Sequence, residues 1–165
     1  MFDIKLKFNE IEIVSIEKED LLNIYKWLKN ESEYMNEYDM NLVDELQFYE
    51  RFLEYYVSEC EFFLKINQCN QLIGIIKGRI EFKNPNEVWI TYFILDSNVR
   101  NAGLGSEILQ AIVKYFNKDF GIVNFYAKIE EFSQSIDFWK KNNFSILKIY
   151  KNLGTDIKAI LKRNK

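Results

Sequence analysis

Apolar positions along this chain recur with two different periods, and the changes of period mark its elements. Ile11 to Ile16 is rich in β-branched residues and reads as a strand. The acidic Glu17-Lys18-Glu19-Asp20 then opens a helix with Leu21, Tyr25 and Leu28 on one face. Asn41 is a good N-cap for a second helix, with Asp44 in its first turn and Leu42, Leu46, Tyr49, Leu53 and Tyr56 spaced by three and four. The polar stretch between Asn30 and Asn41 reads as the loop joining the two. From Glu61 the period falls to two, with Phe62, Leu64 and Ile66 alternating against Phe63 and Lys65. Turns around Asn67–Gln71 and at Lys83-Asn84-Pro85-Asn86 separate this strand from Leu72–Phe82 and Val88–Leu95, an antiparallel meander.

Past Leu95 helix and strand alternate. Leu104, Ile108, Leu109, Ile112, Val113 and Phe116 mark a helix, and Val123–Ile129 a strand. Ile136 and Trp139 lie on a short helix, followed by strands over Phe144–Tyr150 and Ile157–Leu161. The summed order, β-α-α-β-β-β-α-β-α-β-β, predicts an α/β (α+β) fold: a mixed, mostly antiparallel sheet of about seven strands flanked by four helices.

Composition narrows the classes. A chain of 165 residues, 48% hydrophobic, is expected to form one domain over residues 1–165. Its longest apolar runs, Ile11–Ile16 and Val88–Leu95, are too short to span a membrane, so no membrane partner is expected. Met1-Phe2-Asp3-Ile4-Lys5 lacks a secretory pattern, which makes the cytoplasm the expected location. Cys60 and Cys69 are then read as thiols rather than as a disulfide. The absence of histidine removes the commonest metal ligand and general base, and no metal site is expected. A net charge of -3 offers no broad basic field, so nucleic acid is not an expected partner.

Candidate chemistry concentrates in Leu95-Asp96-Ser97-Asn98-Val99-Arg100-Asn101-Ala102-Gly103-Leu104-Gly105-Ser106, where a strand gives way to a glycine-containing loop and a long helix. Helix N-termini leave backbone N–H groups without partners and attract anions, phosphate above all. Gly103 and Gly105 let a ligand approach the backbone closely, and Arg100 can add a charge-assisted hydrogen bond. A strand-to-helix turn that needs glycine for its own geometry would look the same. The loop lacks the lysine of a triphosphate-binding loop, and Ile108 stands where a dinucleotide fingerprint wants a third small residue.

Arg100-Asn101-Ala102-Gly103-Leu104-Gly105 resembles the pyrophosphate-binding motif (Gln/Arg)-x-x-Gly-x-(Gly/Ala) of the GNAT superfamily of N-acetyltransferases. The element order is similar too, so the resemblance covers Ile11 to Leu161 and implies the acyl-CoA N-acyltransferase fold. It also implies acetyl-coenzyme A as cofactor. Phe93, Ile94 and Leu95 would line its pantetheine arm, the backbone from Asn101 through Ala102, Gly103, Leu104 and Gly105 to Ser106 would hold its pyrophosphate, and a backbone donor near Leu95 would polarise the thioester. A second family signature is matched at Ser135, Ile136, Lys141 and Phe144, which puts Ser135 and Trp139 beside the cofactor. Asn143 replaces its glycine, Phe132 its asparagine, and Trp139 the tyrosine that relatives use to protonate the departing thiolate. An indole N–H is too weak an acid for that task, and packing is the simpler role for Trp139.

An amine attacks only after losing its proton. On the strand before the loop, Glu87, Trp89 and Thr91 share a face, and Trp89 occupies the position where some relatives carry a glutamate base. Glu87 is the substitute candidate base, with a solvated strand start as its other reading; Glu130 and Glu131 are further candidates with the same alternative. Tyr92 and Tyr126 read as sheet aromatics. The family builds its acceptor side from the loop where Glu31, Glu33, Tyr34, Glu37 and Tyr38 lie here, and these groups would favour a cationic acceptor. The resemblance therefore implies an N-acetyltransferase acting on a small-molecule or peptide amine. Relatives often form homodimers, which the aromatic content permits. The second reading is a non-catalytic acyl-CoA-binding module of the same fold.

Overall fold

The computed structural model of the chain describes residues 2–31, 44–83, 85–130, 135–151 and 157–164, with Glu130 and Ile157 described by backbone alone. Eight strands and four helices are formed among them: β1 (Lys5–Phe8), β2 (Ile11–Ser15), α1 (Leu21–Asn30), α2 (Glu45–Val57), β3 (Glu61–Gln68), β4 (Gln71–Glu81), β5 (Glu87–Leu95), α3 (Leu104–Phe120), β6 (Asn124–Glu130), α4 (Ile136–Lys141), β7 (Phe144–Lys151) and β8 (Ile157–Arg163). The strand order across the sheet is β1-β2-β3-β4-β5-β6-β8-β7. β1 with β2, β2 with β3, β6 with β8 and β7 with β8 pair antiparallel, while β5 with β6 is parallel from Glu87↔Asn124 to Ile90↔Ala127.

The expected class holds, with two corrections. The extra strand is β1, a four-residue edge segment that pairs antiparallel with β2 through Lys5↔Val14 and Phe8↔Ile11. Its alternating lysines hide it from a pattern search, and it forms because Asn9, at φ 49°, turns the chain back onto β2. The second correction concerns α2. Asp44, not Asn41, is its N-cap: the Asp44 carboxylate accepts from the Gln47 amide at 2.8 Å. Asn41 lies outside the described residues.

The chain divides into two compact units, Met1–Gly78 with Tyr92–Val99, and Arg79–Thr91 with Arg100–Lys165. In the first, α1 buries Leu21, Ile24, Tyr25 and Leu28, and β3 buries Phe62, Leu64 and Ile66. Phe63 is buried as well, so β3 is covered on both faces. Cys69 and Asn70, both with positive φ, make the two-residue turn from β3 to β4. Asp20, in the turn before α1, accepts from Lys65 on β3 at 2.6 Å.

The second unit is built on α3. Ile108, Leu109, Ile112, Val113 and Phe116 form its buried stripe, and Gly121, left-handed at φ 64°, ends it with its amide on the Asn117 carbonyl at 2.9 Å. Phe125, Trp139 and Leu161 add to that core. The register of β7 against β8 shifts between Ile146 and Lys148, a bulge that leaves Leu147 exposed.

Candidate active site

The segment from β5 to α3 turns in a short 3-10 stretch, Ser97–Val99, before Arg100. Asp96 accepts from the Asn98 amide at 2.8 Å and from the Asn98 side chain at 2.9 Å, a local clamp on the turn that follows the strand. Asn101 (φ 64°) and Gly103 (φ 87°) are both left-handed. Gly103 is the N-cap of α3; among the described residues no side-chain hydrogen bond caps the helix there, and a Cβ added to Gly103 would meet none of their atoms within 4 Å. Glycine is needed at 103 for its backbone conformation, and the space over that backbone is open. Arg100 is half-buried, while Asn101 and Ala102 are exposed. The Ser106 amide already donates to the Gly103 carbonyl at 3.0 Å, so the donors offered by this helix start lie before it.

Ser106 has a second task. Its hydroxyl accepts from Asn142 Nδ2 at 3.0 Å, and the same nitrogen donates to the Phe138 carbonyl at 2.9 Å. Asn142 is the C-cap of α4 and is 4% exposed, so a buried amide joins the end of α4 to the first turn of α3. Ser135 is the N-cap of α4. Trp139 is 1% exposed, edge-on to Phe138 at 5.3 Å and to Phe144 at 4.9 Å. Its burial supports packing as its role.

Phe93, Ile94 and Leu95 are all buried, after a half of β5 in which burial alternates through Val88 and Ile90. Gly74 on β4 lies against this end of the strand: a Cβ there would come within 2.5 Å of Leu95 Cδ2 and 2.6 Å of the Ile94 carbonyl oxygen. The Asp96 amide donates to the Ile73 carbonyl at 2.8 Å, which fixes where β5 stops.

Glu87 is more than a solvated strand start. Its carboxylate accepts from Trp89 Nε1 at 3.2 Å and from the Tyr126 hydroxyl at 3.4 Å, and Lys83 Nζ stands 3.7 Å away. Trp89 and Tyr126 stack at 4.5 Å and 14°, across the registered pair of β5 and β6. The structure thus gathers Glu87, Trp89 and Tyr126. Lys83 divides its charge between Glu87 and Glu81, whose carboxyl it holds below the ordinary carboxylate range.

Of the acceptor-side candidates, Glu31 is buried at the C-cap of α1. Glu33, Tyr34, Glu37 and Tyr38 lie outside the described residues, as does Glu131, and of Glu130 only the backbone, paired with Lys158, is described. Asn142 and Lys77 were missed by sequence reasoning. Asn142 follows a short helix whose sequence signal is its tryptophan, and Lys77 is a charge inside the apolar strand Leu72–Phe82.

Among the described residues no helix is long and apolar enough to cross a membrane. No curated protein matches the chain by sequence. Solved structures do match its fold. The ribosomal L7/L12 alpha-N-protein acetyltransferase RimL superposes with a TM-score of 0.85 at 14% identity, covering 98% of this chain and 94% of that one. An acetyltransferase from Salmonella typhimurium that modifies the N-terminal serine of ribosomal protein L7/L12 gives 0.82 at 16%, covering 94% and 95%. Spermidine N-acetyltransferase from Vibrio cholerae, solved with CoA and spermine, gives 0.76 at 12%, covering 93% and 94%. At these identities the likeness is one of fold. The family model for the acetyltransferase (GNAT) domain, however, matches residues 13–159, nearly the whole sequence, and the chain therefore belongs to the GNAT acetyltransferase family.

Proposed function

We propose that the chain is an acetyl-coenzyme A-dependent N-acetyltransferase that passes an acetyl group to a primary amine of a small cationic molecule or a peptide. The observation that carries this reading is the start of α3, where a left-handed glycine caps the helix and, among the described residues, no side chain bonds to the cap and nothing stands over the backbone. A diphosphate fits such a place, because backbone N–H groups and the positive end of the helix dipole face its oxygens without desolvating a competing side chain. Arg100, in the same loop, would add a charge-assisted bond. The residues present fit the group, and membership in the GNAT family supports it.

When bound, the cofactor would supply the acyl group as a thioester, a carbonyl activated toward an amine, with coenzyme A thiolate as the leaving group. The chain's own part is to bind, orient and move a proton. The backbone of Phe93, Ile94 and Leu95 would hold the acyl arm, with a donor near Leu95 stabilising charge on the carbonyl oxygen. Gly74 and the Asp96–Ile73 hydrogen bond keep that strand end in one position. Glu87, oriented by Trp89 and Tyr126, would accept the proton of the incoming ammonium. RimL and the spermidine enzyme, both similar in fold, act on a protein N-terminus and on a polyamine, and both kinds of amine suit the proposed acceptor class. Two exposed, unpaired cysteines support a reducing compartment, the cytoplasm.

The buried Trp139 favours one other reading, a binding module without turnover, because the position where relatives keep a tyrosine acid holds a core indole. Calorimetry with coenzyme A and a thiol-release assay with acetyl-coenzyme A separate the two. Transfer to spermidine or to a serine-initiated peptide supports the enzyme. Cofactor binding with no thiol release across a broad amine panel supports the module.

A further inference from the structure

Lys77 sits in the middle of β4 and is 8% exposed, unusual for an ammonium. Its Nζ lies 2.9 Å from the centroid of the Tyr55 ring on α2, 5.6 Å from that of Tyr92 on β5, and 3.7 Å from Glu61 Oε2 at the start of β3. All four residues belong to the unit formed by Met1–Gly78 and Tyr92–Val99. Burial pulls the Lys77 pKa down from 10.5 to about 8; Glu61 and Glu54 act against that shift and Arg51 acts with it. By contrast, the exposed Lys83 is pushed up, by its hydrogen bond to Glu81.

A lysine attacks a carbonyl only as the neutral amine, and desolvation beside aromatic rings is the usual way a protein makes one available near neutral pH. Tyr92, which faces Lys77, immediately precedes Phe93, Ile94 and Leu95. Resting on the proposed binding of acetyl-coenzyme A along those residues, we propose that Lys77 is itself an acyl acceptor, a self-acetylation site of this chain. The Nζ lone pair attacks the thioester carbonyl carbon, an amide C–N bond forms, the C–S bond breaks, and the thiolate leaves with its electron pair and is protonated by solvent. The proton lost by Nζ passes to the Glu61 carboxylate, which is partly exposed and returns it to water.

The product is a neutral amide, so the modification erases the cation that faces Tyr55 and Glu61. That matters for α2, which buries only Phe48 and Phe52 among its described residues and exposes Leu46, Leu53 and Val57. The contact of Lys77 with Tyr55 joins α2 to β4 beside the buried Phe48 and Phe52, and acetylation removes the charge from it.

Incubating the 165-residue chain with acetyl-coenzyme A and mapping its peptides by mass spectrometry tests this, with calorimetry for coenzyme A in parallel. Lys77 should acquire an acetyl group several-fold faster than the exposed Lys83 and Lys140, at a rate that rises with pH and levels off near 8. Adventitious acylation of surface lysines keeps climbing toward the ordinary lysine value of 10.5. Glu61→Gln, which removes an attraction that raises the Lys77 pKa, should move the plateau to lower pH. Coenzyme A bound with Lys77 unmodified, or modified no faster than Lys83 and Lys140, overturns this inference alone. Failure to bind coenzyme A overturns the cofactor reading and this inference with it.

Discussion

Asn142 Nδ2 donates to Ser106 Oγ at 3.0 Å, so the C-cap of the short helix α4 holds the first turn of α3 by a single buried amide. The first turn of α3 follows the glycine cap at which the diphosphate is proposed to bind, and its geometry is set from a residue 36 positions further along the chain. Asn142→Ala leaves the Ser106 hydroxyl without this donor and the Phe138 carbonyl without one of its bonds. It should cost about 1–3 kcal/mol of stability by urea denaturation. It should also weaken coenzyme A binding, whereas Ser106→Ala, which leaves the Phe138 bond in place, should cost less.

Gly103 separates backbone strain from charge. Its φ of 87° makes any side chain costly, and among the described residues nothing lies within 4 Å of an added Cβ. Gly103→Ala should lose roughly 1–2 kcal/mol from the left-handed conformation alone. Gly103→Asp should lose a similar amount of stability but far more affinity for coenzyme A, because it sets a carboxylate where phosphate is proposed to sit. Equal affinity of the two variants would refute the loop assignment.

Gly74 poses a steric problem instead. An added methyl group would lie 2.6 Å from the backbone oxygen of Ile94, which cannot move without shifting β5, and 2.5 Å from Leu95 Cδ2. Gly74→Ala is expected to destabilise by about 1–3 kcal/mol or more. Its melting temperature should fall below that of Gly103→Ala.

Glu87→Gln keeps the shape of the side chain and removes its capacity to take a proton. If Glu87 is the base, turnover falls by about 10²–10⁴-fold. Coenzyme A affinity should stay unchanged in calorimetry. A Glu87→Gln enzyme with full turnover would leave the carboxylate as a strut for the Trp89 and Tyr126 rings.

Lys77 also shapes the dependence of stability on pH. Its folded pKa of about 8 lies below the unfolded 10.5, so between these values the unfolded chain binds the extra proton. Stability therefore rises with pH over that window, and the gain is lost again as pH falls through it. Tyr55, raised chiefly by burial and then by Glu61, acts in the opposite sense above 10.0, where the unfolded tyrosine ionises first. Denaturation series from pH 8 toward 10 should show a rise in the wild type that Lys77→Met lacks.

What the sequence by itself determined is local. The switch from helical to strand period at Glu61, the apolar stripe of α3 and the glycine at its start are properties of residues a few positions apart, and each appears where the pattern puts it. Membership in the GNAT family was legible for the same reason, since Arg100 to Gly105 form one contiguous motif. The sequence points to Asn41 as the start of α2 where Asp44 caps it, because both residue types cap well and neighbouring contacts decide. Tertiary structure decided the rest: that Asn142 grips Ser106, that Glu87 is held by Trp89 and Tyr126, and that Lys77 is buried against Tyr55. In each case the partner lies on another element or the outcome depends on burial, and the energy of a charge or an amide is set by the solvent it loses, which no stretch of sequence carries.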